Sequence, residues 1–435
     1  MIHVVVVGAG IGGLTAALSL GAAGIGVTVL EAVRNPQPLG VGINLQPHAV
    51  RELTELGLGD ALAARAIETA EVRLTDRFGN DIWDQPRGRG LGYRWPQYSA
   101  HRGELQMLLL DAVRERLGHA AVRTGARYEA LRERADGVDV TWRDRAGDRT
   151  HTVTADAVVG ADGLHSAVRE QLHPAPAPLR HAGLRMWRGI CDTPRFLDGA
   201  TMVVAGSNAH PRFVAYPVSR PAQDRGRSLV NWVAEVPADT GADHAPDWNR
   251  AGNAADVLAH FDDGWGPHWL DAAGLICGSP EILYYPMVDR DPLPSWGSQR
   301  VTLLGDAAHA MLPVGSNGGS TAVVDARVLA HELATATDVV TGLRAYQNAR
   351  PRGDRPARAG HPIESGRRLH AAGRTAGTAR VRPHRGRAQR RRAHGDDRDL
   401  RSDHQRGRRP AQLEAQPDPR MNPTPRVGHQ SSSTG

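Results

Sequence analysis

Six residues near the start of the chain, Gly8-Ala9-Gly10-Ile11-Gly12-Gly13, have the composition and spacing of a phosphate-holding turn. Gly8 permits a tight turn, and Gly10 lets backbone approach a pyrophosphate closely. Gly13 lets the following helix pack against its strand, with the phosphates at the positive helix N-terminus. Glu31, 18 residues past Gly13, is placed to accept hydrogen bonds from ribose hydroxyls, with Ala32 beside it. A second constellation, Gly305-Asp306-Ala307-Ala308-His309, continues through Pro313, Gly315 and Gly318 to Asp325. A carboxylate at a strand's C-terminal edge suits a sugar-alcohol hydroxyl, and a glycine loop opening a helix aims N–H groups at an anionic or carbonyl-rich ligand. The same spacing also fits an ordinary strand–loop–helix with one surface aspartate.

The elements expected around these residues are those of an α/β protein. Ile2–Val7 is a short apolar run of the buried parallel type, and an Ala/Leu-rich helix follows to about Ala23. Val27–Leu30 is a second strand, so the glycines sit inside a βαβ unit. Leu105, Leu108, Leu109, Ala112 and Val113 form one apolar face of a helix opening near Gly103, and Ala157–Val159 is a strand running into Gly160-Ala161-Asp162-Gly163. From about 180 to 290 the pattern changes to short β-rich stretches, Leu184–Ile190, Met202–Ala205, Phe213–Val218, Leu229–Val236 and Ile282–Met287, split by Pro/Gly/Asn/Asp loops. An antiparallel sheet domain is expected there. The α/β pattern resumes with strand Val301–Leu304 and a helix carrying Ala322, Ala326, Leu329 and Leu333 on one face.

Composition excludes several classes. No run of 18 apolar residues occurs, so no membrane span is expected, and the N-terminus lacks a basic leader. The two cysteines, Cys191 and Cys277, have no metal or redox spacing, which points to a reduced, cytoplasmic enzyme. Residues 351–435 hold 20 arginines and 8 acids, a charge of +12, leaving −6 on the rest of a chain whose net charge is +6. The basic character therefore belongs to the tail, and nucleic acid is not an expected partner of the body. No Ser-His-Asp or metal-binding constellation is visible.

Three motifs in order carry a family resemblance. Gly305-Asp306 with its loop resembles the GD motif of the flavoprotein aromatic hydroxylases, the class A FAD-dependent monooxygenases. Val159-Gly160-Ala161-Asp162-Gly163-Leu164-His165-Ser166-Ala167-Val168-Arg169 resembles their DG motif, and Arg102 in His101-Arg102-Gly103-Glu104-Leu105 matches their arginine near the pyrophosphate. Within the family, Leu39–Pro47, Tyr98–Met107, Met186-Trp187-Arg188-Gly189 and Tyr285–Leu293 are most similar to members acting on phenazine carboxylates, with salicylate-hydroxylase-like enzymes as the wider circle. The resemblance implies an FAD domain in two parts, 1–180 and 291–350, interrupted by a β-sheet substrate domain, 181–290. It implies FAD, held by Gly8, Gly10, Gly12, Gly13, Glu31, Ala32, Arg102, Asp162, Gly163, Gly305, Asp306, Gly315 and Gly318, with Pro313 beside the flavin ring. It further implies NADPH or NADH as transient reductant, dioxygen as co-substrate, and hydroxylation of an electron-rich aromatic ring through a C4a-hydroperoxyflavin. Where that carbon bears a carboxylate, carbon dioxide would leave.

Some single residues admit two readings. Trp187, Tyr216 and Tyr284 are candidates to wall a flat aromatic pocket, and equally suit core packing. Arg188 suits a substrate carboxylate or a surface ion pair, His309 a structural hydrogen bond or acid–base work, and Arg169 an anchor for the DG helix. The oligomeric state is expected to be monomer or homodimer. A flavin-dependent dehydrogenase or reductase stays open, as does an inactive FAD-binding relic. Residues 351–435 contain no Phe, Trp or Tyr and six of Ile, Leu and Val, too few to offset chain entropy, so disorder is expected. The chain has no lysine and the tail is rich in Arg, Ala, Pro and Gly, as an out-of-frame reading of GC-rich DNA beginning near Arg350 would be. The functional alternative is an arginine-rich arm for polyanions.

Overall fold

The computed structural model describes residues 2–175, 178–207, 211–238, 250–261 and 265–350, with the side chains of 286 and 314 excepted. The expectations for 351–435 lie outside the described residues.

The α/β core is a five-stranded parallel sheet in the order Val301–Leu303, Ala157–Gly160, His3–Val7, Gly26–Glu31, Val122–Thr124. Val4, Val5 and Val6 are all fully buried, without alternation, because this sheet is covered on both faces. Helices Ile11–Ala22, Arg102–Leu117 and Gly318–Thr335 lie along one side, with the predicted faces Leu105/Leu109/Val113 and Ala326/Leu329/Leu333 buried. An antiparallel three-stranded sheet, spanning Ala126–Ala155, packs against core strands His3–Val7 and Gly26–Glu31.

The second large element is an eight-stranded sheet, antiparallel apart from one parallel junction between Thr201–Gly206 and Glu71–Thr75. All five β-rich stretches expected between 180 and 290 are strands of it. The hairpin formed by Glu71–Thr75 and Asp81–Pro86, far earlier in the chain, joins the same sheet. Strand alternation divides this sheet into two faces. One carries Trp187, Val203, Phe213, Trp232 and Ala234, packed under helices Ala254–Leu258 and Ala272–Cys277 through Val257, Leu275 and Ile276. The other carries Met186, Val214, Tyr216, Val233 and Met287, and packs against Leu312 from the loop that follows Gly305-Asp306.

Candidate functional site

Parallel order brings the sequence motifs to one edge. The carboxyl ends of four adjacent strands are joined there by backbone hydrogen bonds, Gly8 N–H to Leu30 C=O (2.8 Å), Ala161 N–H to Val7 C=O (2.8 Å) and Leu304 N–H to Gly160 C=O (2.9 Å). Glu31, the glycine turn, the Asp162-Gly163 loop and Gly305-Asp306 thus form one rim, the usual place for a ligand in such a sheet.

The glycines of the turn serve different needs. Gly8 has φ +104°, and a Cβ there would lie 2.5 Å from the Ala161 carbonyl oxygen, so the first loop is pressed against the Asp162-Gly163 loop. A Cβ on Gly13 would overlap the Gly8 carbonyl, which is the helix–strand closeness expected of the third glycine. Gly12 faces Leu304 and Ala322, where helix Ile11–Ala22 meets Gly318–Thr335. A Cβ on Gly10, in contrast, would meet nothing within 4 Å. No protein neighbour requires this glycine, and it presents bare backbone to the rim. Glu31 is held in place from both sides, one oxygen accepting from Ala9 N–H (2.8 Å) and the other from Val33 N–H (2.7 Å). Ala32 follows it at the same strand end. Gln106 donates to the Ala9 carbonyl (2.8 Å), tying helix Arg102–Leu117 to the turn and setting Arg102 at the helix start.

Two aspartates that look alike in sequence behave differently. Asp162 is consumed locally, one oxygen accepting from Ser166 Oγ (2.5 Å) and the other from Val168 N–H (3.2 Å), which stabilises the start of helix Ala167–Leu172. Its neighbour Gly163 takes φ +76°. The Asp306 side chain makes no hydrogen bond or ion pair among the described residues. Solvent reaches it, yet surrounding protein strips enough hydration to push its carboxyl upward, against the pull of His309 and Arg102. Its Oδ1 faces Gly318, the first residue of an 18-residue helix, where a Cβ would lie 3.9 Å away. The Arg102 guanidinium likewise has no hydrogen-bond partner among the described residues. Between these motifs Arg169, fully buried, donates to the carbonyls of Leu164 (2.6 Å) and Ala307 (3.3 Å). It ties the Asp162-Gly163 loop to the Gly305-Asp306 segment, more than the local helix anchor expected of it.

The loop after Asp306 is fastened to strand Gly42–Leu45. Gln46 donates to the Gly315 carbonyl (3.2 Å) and Ser320 Oγ accepts from Gln46 N–H (2.9 Å), while Gly315 and Ser316 take φ +76° and +57°. Pro313 stands exposed at the start of this loop. Gly42 meets the large sheet directly: its N–H donates to Asn231 Oδ1 (2.7 Å), and its carbonyl accepts from Arg188 Nη2 (2.6 Å). Arg188 is therefore no surface ion pair, and Asn231 is a contact that sequence pattern had no means to single out. Tyr216 lies in the same cluster, its hydroxyl pushed up by burial against the opposing effect of Arg188 and Asn44. The three aromatics expected to wall one pocket do not share a face. Trp187 and Tyr284 stack edge-on (5.7 Å) in the core beneath the short helices, whereas Tyr216 points to the other side, the separation that a two-residue repeat imposes.

His309 takes the structural option. Its Nε2 lies 2.6 Å from Asp325 Oδ2, and Asp325 also accepts from Gly305 N–H (3.1 Å) and Arg350 Nε (2.7 Å). Burial alone would lower the imidazole pKa, but the Asp325 charge and hydrogen bond outweigh it and raise it. Burial would raise Asp325, and its cationic partners bring it below the usual carboxylate value.

The chain is similar to known proteins. A family described as "FAD binding domain" matches residues 1–269 and 286–354. The phenazine 1,6-dicarboxylic acid hydroxylase PhzS of Lysobacter antibioticus is 50% identical over 351 residues, covering 80% of this chain and 86% of that protein. A 3-hydroxybenzoate 6-hydroxylase of Klebsiella oxytoca is 30% identical over 383 residues, 86% of this chain and 90% of its own length. Among solved structures, Klebsiella pneumoniae HpxO complexed with FAD and uric acid superposes with a TM-score of 0.67 at 29% identity, covering 80% of this chain and 84% of that one.

Proposed function

The chain belongs to the FAD binding domain family of aromatic hydroxylases, and from that premise we propose that its substrate is a flat aromatic carboxylate of the phenazine type. It is an FAD-dependent monooxygenase that consumes NADPH or NADH and dioxygen. When bound, FAD supplies the chemistry that accepts a hydride and delivers one oxygen atom to an aromatic ring. The names of its relatives favour this over a flavin-dependent dehydrogenase or an inactive relic.

The residues present suit the cofactor. Bare backbone at Gly10 and the helix start behind it suit the pyrophosphate, with Arg102 as counter-charge. Glu31, already held by two N–H groups, has lone pairs left for ribose hydroxyls. Asp306, without a protein partner, suits the ribityl hydroxyls, and the Pro313–Gly318 loop suits the ring system. Asp162 and Gly163 serve on this reading by shaping the loop on which Gly8 rests. The sheet face of Met186, Val214, Tyr216 and Met287, packed against Leu312, would wall the substrate and exclude water, and the Arg188–Gly42 contact would hold that face against the cofactor side.

One observation carries this reading: the unpartnered Asp306 stands on the same rim as the open Gly10 turn, in a chain half identical to a phenazine dicarboxylate hydroxylase. Purified protein should be yellow. Its NAD(P)H-dependent oxygen uptake should rise with phenazine-1-carboxylate or phenazine-1,6-dicarboxylate more than with salicylate, yielding a hydroxylated product. Carbon dioxide release would mark attack at the carboxylate-bearing carbon. Oxygen uptake indifferent to all three acids would refute the substrate assignment.

The same reading places the enzyme in the cytoplasm, where reduced nicotinamides are supplied. Among the described residues no helix is long and apolar enough to cross a membrane. For residues 351–435 we retain the out-of-frame origin, supported by a family match that stops at residue 354. An uninterrupted helical reading frame on resequencing would establish it, and an unchanged sequence would favour the polyanion-binding arm.

A further inference from the structure

Asp325 has no solvent-exposed surface, and its three donors come from two parts of the chain. Gly305 and His309 bracket the short helix Asp306–His309 that follows core strand Val301–Leu303, and Arg350 caps helix Val339–Ala349. Helix Gly318–Thr335, which carries Asp325, packs against helix Val339–Ala349. One turn before Arg350, Tyr346 donates to the Leu303 carbonyl (3.2 Å), and Trp296 packs between the Tyr346 and His309 rings at 5.8 and 5.1 Å. The last described helix therefore reaches the Gly305-Asp306 segment twice, once through the strand and once through a buried carboxylate.

A buried carboxylate keeps its charge only when cations and hydrogen bonds replace lost water. His309 and Arg350 do so here, and the charged Asp325 in turn grips the Gly305 N–H. Gly305 has φ +62°, a conformation natural to glycine alone, so this peptide's orientation depends on what holds it. The next residue is Asp306. The charged groups around His309 are Asp325 and Asp306, with Arg350 on the far side of Asp325.

We infer that Arg350 is a positioning residue for the cofactor: through Asp325 it holds the Gly305 peptide, and thereby the Asp306 carboxylate, where the flavin dinucleotide's sugar-alcohol chain is met. The inference rests on the reading of Asp306 given above. Arg350 touches no ligand itself, and its effect appears as cofactor retention.

The test uses the full-length flavoprotein. FAD loss on dilution is followed by the rise in free-flavin fluorescence, and far-UV circular dichroism is recorded on the same samples. Arg350→Met is expected to lose FAD at least ten-fold faster with the dichroism spectrum unchanged, and Arg350→Lys to be intermediate. The double variant Asp325→Asn/Arg350→Met should lose FAD no faster than the worse single variant, because both act through one carboxylate. Should Arg350→Met not fold, the double variant, which leaves no unpaired buried anion, carries the same readouts. FAD retention within two-fold of the unmodified chain, or flavin lost only together with secondary structure, overturns the inference. Asp306→Asn is the control. If it keeps FAD normally the reading of Asp306 fails, whereas if it alone loses FAD only the role of Arg350 fails.

Discussion

At the scale of single residues, the rim separates groups that build the fold from groups that face outward. Gly13 and Gly10 illustrate this with the same residue type. A methyl on Gly13 collides with backbone, which cannot move aside, while a methyl on Gly10 enters open space. Gly13→Ala should therefore lower stability by about 1–3 kcal/mol or more, the range for overpacking. Gly10→Ala should melt like the unmodified chain once flavin is removed, yet bind FAD more weakly. Thermal melts beside flavin content distinguish the two, and equal melting losses in both would show that Gly10 is also packed. Asp162 and Asp306 make the same division among acids, and only partners seen in three dimensions reveal which carboxylate is already engaged.

At the scale of elements, the large sheet works by its two faces. Trp187 lies in the core under the short helices, so Trp187→Phe should change stability and leave KM for the aromatic substrate within about two-fold. Met186, one position earlier and on the other face, should behave oppositely, with Met186→Ala raising KM more than it lowers the melting point. Steady-state kinetics and melts on the pair decide this, and a KM effect confined to Trp187 would place the substrate on the wrong face. The link between strand Gly42–Leu45 and this sheet is equally specific. Asn231→Ala removes the acceptor of the Gly42 N–H and should cost about 1–3 kcal/mol in chemical denaturation, the penalty of an unsatisfied buried donor.

For the whole molecule, the Asp325 hub predicts how stability varies with pH. His309 has a raised pKa in the folded state, so its stabilisation is complete below its ordinary value of 6.5 and is lost as pH rises through the folded value. Asp325 has a lowered pKa, so its contribution is present above its ordinary value of 3.8 and is lost as pH falls through the folded value. The thermal midpoint should thus be highest between those limits, and His309→Asn should remove the alkaline decline while leaving the acid one. An alkaline decline identical in both proteins would assign it to other groups.

Much of this was legible in the chain because the signals are local. The Gly8–Gly13 turn, Glu31 at a strand end, the helix faces and the alternating stretches between 180 and 290 are each set by neighbours a few residues away, through sterics and periodicity. The motifs were legible as a set because their order along the chain is itself specific. What only the tertiary structure decided depends on contacts across long separations. Gly42 meets Asn231 and Arg188, the hairpin at 71–86 joins a sheet built mainly from residues 180–289, and Arg350 reaches back to Asp325. Strand alternation puts Trp187 and Met186 on opposite faces, yet the sequence suggested one pocket for Trp187, Tyr216 and Tyr284. Which face meets Leu312 and which the short helices follows from packing alone. Spacing encodes conformation, whereas the choice of partner is made when distant surfaces bury one another.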